Sequence, residues 1–145
     1  MIFRTASFQD LDAATLYRLL KLRVDVFVVE QKCAYPELDG RDLEPGTRHL
    51  WYEVDRQPVA YLRMLADPGE GAVVHRIGRV VTAPEARGGG LAGQLLTAAL
   101  AAIGEEPVVL DAQSHLAAFY TKYGFAPTGP EFLDDGIPHL PMRRG

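Results

Sequence analysis

Three consecutive glycines, Gly88, Gly89 and Gly90, stand between a β-branched stretch, "AVVHRIGRVVT", and an apolar run that begins at Leu91. A backbone that bare lets the chain approach an anion closely, while the first amides of the following helix and its dipole face the charge. A tight turn alone needs fewer glycines. The segment therefore reads as strand, phosphate-binding loop and helix, with Arg87 adding a charge-assisted contact at the loop's edge.

The flanking pattern extends this frame. Leu91, Leu95, Leu96, Ala99 and Ile103 mark one helix face, and Gly104 follows where a helix C-terminal glycine belongs. Upstream, Ile2 to Ala6 predicts a short strand. Leu11, Leu16, Leu19, Leu20, Val24 and Phe27 then recur at helical spacing, and "VFVVEQ" blurs the period. Cys33 to Thr47, rich in prolines, glycines and acids, reads as a loop or lid. A hairpin follows from about His49, turning near Asp55 to Pro58, with Trp51 and Tyr52 as core and sheet-face residues. "PVVLDA" is a compact strand, and "SHLAAFYTKYGF" a helix capped by Ser114 and stopped by Gly124. The tail predicts two strands, Phe125 to Leu133 and Pro138 to Arg143. The sum is an α/β chain of the mixed α+β kind, one domain over residues 1–145 with helices flanking a mixed sheet.

Composition excludes several classes. With 48% hydrophobic and 23% charged residues and a net charge of −4, the chain has an ordinary globular make-up. A nucleic-acid binder driven by phosphate contacts would be basic, so none is expected. Cys33 is the single cysteine, which excludes an internal disulfide and leaves no thiolate cluster for a metal. The first residues lack a signal-peptide core and no apolar run is long enough to cross a bilayer, so the expectation is a cytoplasmic protein without membrane partners.

Two nucleotide readings of the glycine run compete. The Walker loop fails for want of Gly-Lys-Ser or Gly-Lys-Thr. "GGGLAG" does satisfy G-x-G-x-x-G, with Asp111 near the distance of a ribose-binding acid, so a small dinucleotide-binding oxidoreductase is a rival. Against it, the glycines follow the loop "APEAR" instead of the strand itself, and the hairpin upstream breaks the alternation of strand and helix.

The spacing Arg87-x-x-Gly90-x-Ala92, between "VVTAP" and an apolar helix, resembles the pyrophosphate-binding signature of the GNAT N-acetyltransferase superfamily. "AAFYTKYGF" resembles that family's late helix and following strand. "LRVDVFVVEQ", "YPELDGRD" and "DGIPHLPM" resemble its ElaA-like branch. The resemblance implies a GNAT-like acyl-CoA N-acyltransferase fold, a sheet of about seven strands with about four helices. It implies acetyl-coenzyme A as co-substrate, no metal, and an acceptor amine on a small molecule or peptide; a homodimer is a modest expectation. Backbone amides of Gly88, Gly89, Gly90, Leu91 and Ala92 would hold the pyrophosphate beside Arg87. Val80, Val81 and Thr82 would hold the thioester end, and Tyr120 would be the general acid, with Tyr123 left to the core.

The general base is open. If the strand alternates, His75, Ile77, Arg79 and Val81 share one face and Arg76, Gly78 and Val80 the other, so His75 or Arg76 faces the cleft, not both. His75 is the first candidate; Glu30, His49, His115, His139 and a water relay remain. Glu30, then Glu37, Asp39 and Asp42, then Asp134 and Asp135 form three acidic segments that would suit a cationic acceptor, with Glu30, Asp39, Asp135 and His139 the chosen contacts. Solvated turn formers are the plainer reading. A non-catalytic acyl-coenzyme A sensor of the same fold is the alternative to an enzyme.

Overall fold

The computed structural model describes residues 1–145. Strands β1 (Ile2–Ala6), β2 (Arg48–Val54), β3 (Gln57–Pro68) and β4 (Val73–Thr82) form an antiparallel meander. Helix α2 (Leu91–Ile103) then crosses to β5 (Val108–Gln113), which lies parallel to β4. Strands β6 (Ala126–Pro127), β7 (Phe132–Asp134) and β8 (Ile137–Arg144) complete an eight-stranded sheet in the order β1-β2-β3-β4-β5-β8-β6, with β7 also on β8. One parallel junction in an otherwise antiparallel sheet is not the doubly wound sheet that the dinucleotide reading requires. The tail holds three strands where two were expected, because Phe132–Asp134 folds back on β8 through a turn at Asp135 and Gly136.

The two faces of the sheet carry separate cores. Helix α1 (Ala13–Val24), capped by the Asp12 carboxylate accepting from the Thr15 amide at 2.7 Å, packs Leu19, Leu22 and Val26 against Trp51, Tyr61 and Val81. Its last turn continues as a π-helical turn over Asp25–Glu30, which is why the period blurs at "VFVVEQ". On the opposite face α2 packs Leu91, Leu95, Leu96 and Ala99 onto Leu50, Leu62, Ile77 and Leu110. Helix α3 (Ala117–Thr121) is shorter than its sequence pattern and is entered through a 3-10 turn at Ser114–Leu116, whose Ser114 hydroxyl makes no capping bond. The chain thus has three α-helices, close to the expected number of about four, with the π-helical turn extending the first.

Strand β4 departs from simple alternation. Tyr61 pairs with Val81 and Arg63 with Gly78, so Arg79 and Val80 together oppose Leu62 in a bulge, and Arg79 has φ 54°. The extra residue moves every later side chain to the other face. Ile77 therefore lies beneath α2 and Val81 beneath α1, which corrects the shared face expected of them.

Candidate active site

Strands β4 and β5 pair only at His75 with Val108 and Arg76 with Val109. Beyond that point they diverge, and a cleft of about 190 Å³ opens between them. Its walls come from the π-helical turn and the loop after it at Cys33 and Tyr35, from β3, β4 and β5, from Leu116 and Tyr120 at α3, and from the β7–β8 turn.

The glycine loop lies at the end of β4. Gly88 and Gly90 have φ 86° and 79°, the left-handed region that favours glycine, and a Cβ on either would meet no atom of the chain within 4 Å. Gly90 gives α2 no side-chain cap, so the first-turn amides of Leu91, Ala92 and Gly93 are left for an external anion. Leu91 is buried and anchors the turn in the core. The loop therefore has the open space and free donors that a diphosphate requires. Arg87 lies beside it, with Nε donating to the Thr82 carbonyl at 3.1 Å and both outer nitrogens on Glu30, at 2.8 and 2.9 Å. Glu30 is thus paired on the loop side and does not line the cleft.

Val80 lines the cleft, whereas Val81 points beneath α1 and Thr82 offers its carbonyl to Arg87. Tyr120 reaches the cleft from α3 and is 6% exposed. Its hydroxyl bonds no atom of the chain and is not sealed from solvent. Burial pushes the phenol up to about 12, so it keeps its proton through the neutral range.

The histidines separate clearly. His75 sits at the closed end of β4, its Nε2 3.2 Å from Glu106, and does not reach the cleft; Arg76 does. His49 is buried, with Nδ1 2.6 Å from the Tyr61 hydroxyl and Nε2 3.4 Å from the Asp42 carbonyl. His115 is exposed outside the cleft. His139 lines the cleft on β8, stacked against Phe132, with Nδ1 2.7 Å from the Ile137 carbonyl. A carbonyl only accepts, so Nδ1 carries the proton of the neutral ring and Nε2 is the free base.

The acids of the Cys33–Thr47 segment are all paired with arginines, and Glu37 and Asp42 are buried. Arg23, on the buried face of α1 and 1% exposed, donates to Glu37 and Asp42, each at 2.7 Å. Arg63 holds Asp39 through two bonds of 2.9 and 2.8 Å, and Arg79 reaches Glu37 at 2.8 Å. Three arginines and three acids thus form a charge-balanced lattice, buried at Arg23, Arg63, Glu37 and Asp42 and open to solvent at Asp39 and Arg79, that ties the loop to the sheet. Burial alone would raise the Asp39 pKa; bonds from Arg63 and from the Arg41 amide hold it down to about 2. Asp39 therefore sits behind the cleft wall, while Asp134 and Asp135 line the cleft itself. The sequence carried a signal for this lattice. Arg23 shares helical spacing with Leu19 and Val26, and Arg63 shares a strand face with Tyr61 and Leu65.

This geometry, a splayed parallel pair ending in a glycine loop at a helix N-terminus, is matched by comparison with known proteins. The acetyltransferase (GNAT) domain family matches residues 20–144. The chain belongs to that family. A UPF0039 protein of Mycobacterium tuberculosis is 56% identical over 137 residues, covering 94% of this chain and 88% of that one. Protein ElaA of Escherichia coli is 41% identical over 140 residues, covering 93% and 90%. Among solved structures, an acyl-CoA N-acyltransferase from Pseudomonas aeruginosa superposes with a TM-score of 0.91 at 49% identity, covering 99% of both chains. The fold is that of the acyl-CoA N-acyltransferases, and ElaA is a relative.

Proposed function

We propose that the chain is a single cytoplasmic acetyltransferase domain that moves the acetyl group of acetyl-coenzyme A to a primary amine. The observation that carries this reading is the juxtaposition of the β4–β5 splay, the open glycine loop at one end of it and the free Tyr120 hydroxyl. The description of the P. aeruginosa relative as an acyl-CoA N-acyltransferase supports it.

In this reading the amides of Gly88 to Ala92 and Arg87 receive the diphosphate of the donor. The main chain of β4 from the bulge onward, Val80 to Thr82, orients the thioester, so that the side chains there matter less than the backbone. The amine nitrogen attacks the thioester carbon; a C–N bond forms, the C–S bond breaks, one proton leaves nitrogen and one arrives at sulfur. His139 Nε2 takes the first of these protons in place of His75, which lies too far toward the closed end of the strands. Tyr120, as general acid, donates toward the departing sulfur.

A thermal-shift series with acetyl-coenzyme A, coenzyme A, NAD and ATP, run beside a thiol-release assay over a panel of amines, tests the proposal. Protection by the two coenzyme A compounds together with thiol release supports it. Equal protection by all four ligands would defeat it. Protection without release from any amine would favour a sensor.

A further inference from the structure

Three arginines line the cleft, Arg63 on β3 and Arg76 and Arg79 on β4. Each uses two of its guanidinium nitrogens on acids of the chain and leaves one unbonded. Arg63 binds Asp39 and Asp42 through Nη1 and Nη2, while its buried Nε has no partner. Arg76 reaches Asp67 and Asp111 through Nε and Nη1 at 3.5 and 3.3 Å and leaves Nη2. Arg79 binds Glu37 and Asp39 through Nε and Nη2 and leaves Nη1.

Glu37 and Asp39 fix the plane of Arg79, so its remaining N–H groups are oriented before any ligand arrives, while Arg76 is held by longer bonds to Asp67 and to Asp111 in the cleft. A buried N–H without a partner is costly and persists where something compensates for it. Across the cleft, Asp134 and Asp135 form no ion pair and leave their carboxylates to solvent or ligand. Guanidinium donors thus stand on the β3–β4 wall and carboxylates on the other, Asp111 paired with Arg76 and Asp134 and Asp135 unpaired. Its volume of about 190 Å³ is below what a drug-sized ligand occupies.

We propose that the acceptor is an amine that also carries a carboxylate, in the size class of a free amino acid, with its carboxylate on the unbonded nitrogens of Arg76 and Arg79 and its ammonium end toward Asp134 and Asp135. The inference rests on the acetyltransferase reading and narrows its acceptor. A carboxylate offers about four lone-pair sites, the complement of guanidinium N–H donors. A simple alkyl amine would leave the unbonded guanidinium N–H groups without an acceptor, which disfavours it against an amino acid.

The test is thiol release from acetyl-coenzyme A with the common amino acids, their carboxamides and simple alkyl amines, each with the wild-type chain and with Arg76→Gln and Arg76→Lys. Arg76 is chosen because it lies outside the buried lattice, so its loss leaves the fold standing. The expected result is that at least one amino acid exceeds its carboxamide by tenfold or more in kcat/KM. Arg76→Gln should remove that preference by lowering turnover of the acid alone, and Arg76→Lys should restore part of it. Carboxamides or alkyl amines used as well as the acids would overturn the inference and leave the transferase intact, as would an Arg76→Gln variant that slows both classes alike. Silence with every amine, while acetyl-coenzyme A still protects the chain from heat, would instead overturn the transferase reading and this inference with it.

Discussion

Arg87 and Glu30 meet fork to fork, two parallel bonds of 2.8 and 2.9 Å that join the glycine loop to the last residue of the π-helical turn. The bond from Arg87 is also the first cause of the lowered Glu30 pKa, so the acid is charged at neutral pH. A diphosphate on the loop would need the nitrogens that Glu30 holds and would lie beside its negative charge. Glu30→Gln should therefore lower the KM for acetyl-coenzyme A, by roughly threefold, whereas Arg87→Ala should raise it by about tenfold. Steady-state kinetics decide. A rise in both variants would mean that the pair holds the loop in shape instead of competing for the donor.

Gly90 offers a cleaner test of the loop. Its φ of 79° makes any side chain strained, so Gly90→Ala should cost about 1–2 kcal/mol of stability. A Cβ there meets nothing in the chain, so loss of coenzyme A affinity beyond that cost reports on the ligand alone. Titration calorimetry of Gly90→Val with coenzyme A should show binding abolished; an unchanged affinity would remove the diphosphate from this loop.

Gly93 and Tyr123 form a second contact of the same helix, with a different meaning. A Cβ on Gly93 would lie 2.2 Å from the Tyr123 hydroxyl oxygen, and the next atom, Cζ, is 3.4 Å away. Gly93→Ala should destabilise the chain by about 1–3 kcal/mol through overpacking. In a Tyr123→Phe background most of that loss should vanish, a coupling that urea denaturation of the double-mutant cycle measures.

Tyr120→Phe keeps the ring and removes the donor. Turnover should fall by about a hundredfold with the KM for acetyl-coenzyme A unchanged. Because burial pushes the phenol up to about 12, the alkaline limb of the wild-type rate profile below pH 10 should survive in the variant. Disappearance of that limb would mean that Tyr120 ionises within the working range.

His49 makes stability depend on pH. Burial is the main cause of its lowered pKa, so the folded chain holds it neutral below the value of about 6.5 expected when unfolded. In that window the unfolded chain binds a proton that the folded chain refuses, and stability falls as pH drops through it. Tm measured from pH 7.5 to 5 should decline less steeply in His49→Gln than in the wild type. Equal slopes would assign the decline to other groups.

The parts of the fold that sequence reveals are those governed by local pattern. Leu91 to Ile103 shows its helix because five apolar residues share one stripe, and Gly104 closes it at φ 76°. The hairpin turn at Asp55 and Arg56 was placed from composition, and both residues take the left-handed conformation that a two-residue connection needs. What stayed hidden depends on partners distant in the chain. The bulge at Arg79 cannot be read from β4 alone, since Glu37 and Tyr35, some forty residues earlier, hold its side chain. Glu37, Asp39 and Asp42 look like loop acids until Arg23, Arg63 and Arg79 arrive from three other elements. Alternation alone puts Arg76 and Arg79 on opposite faces of β4, and only the bulge and the splay bring both to the cleft.

The two-residue pairing of β4 with β5 also bears on how the sheet meets other molecules. Every open sheet has two outer margins where unpaired backbone groups invite a stranger's strand; here they are β1 on one side and the short strands β6 and β7 on the other. By parting so early, β4 and β5 create a third such margin, turned inward and walled by helices on both sides. A folded neighbour is too thick to enter that slot. A slender linear molecule is not, so the same exposed backbone that would be an aggregation hazard on the rim becomes, in the middle of the sheet, a filter for guests no wider than a single strand.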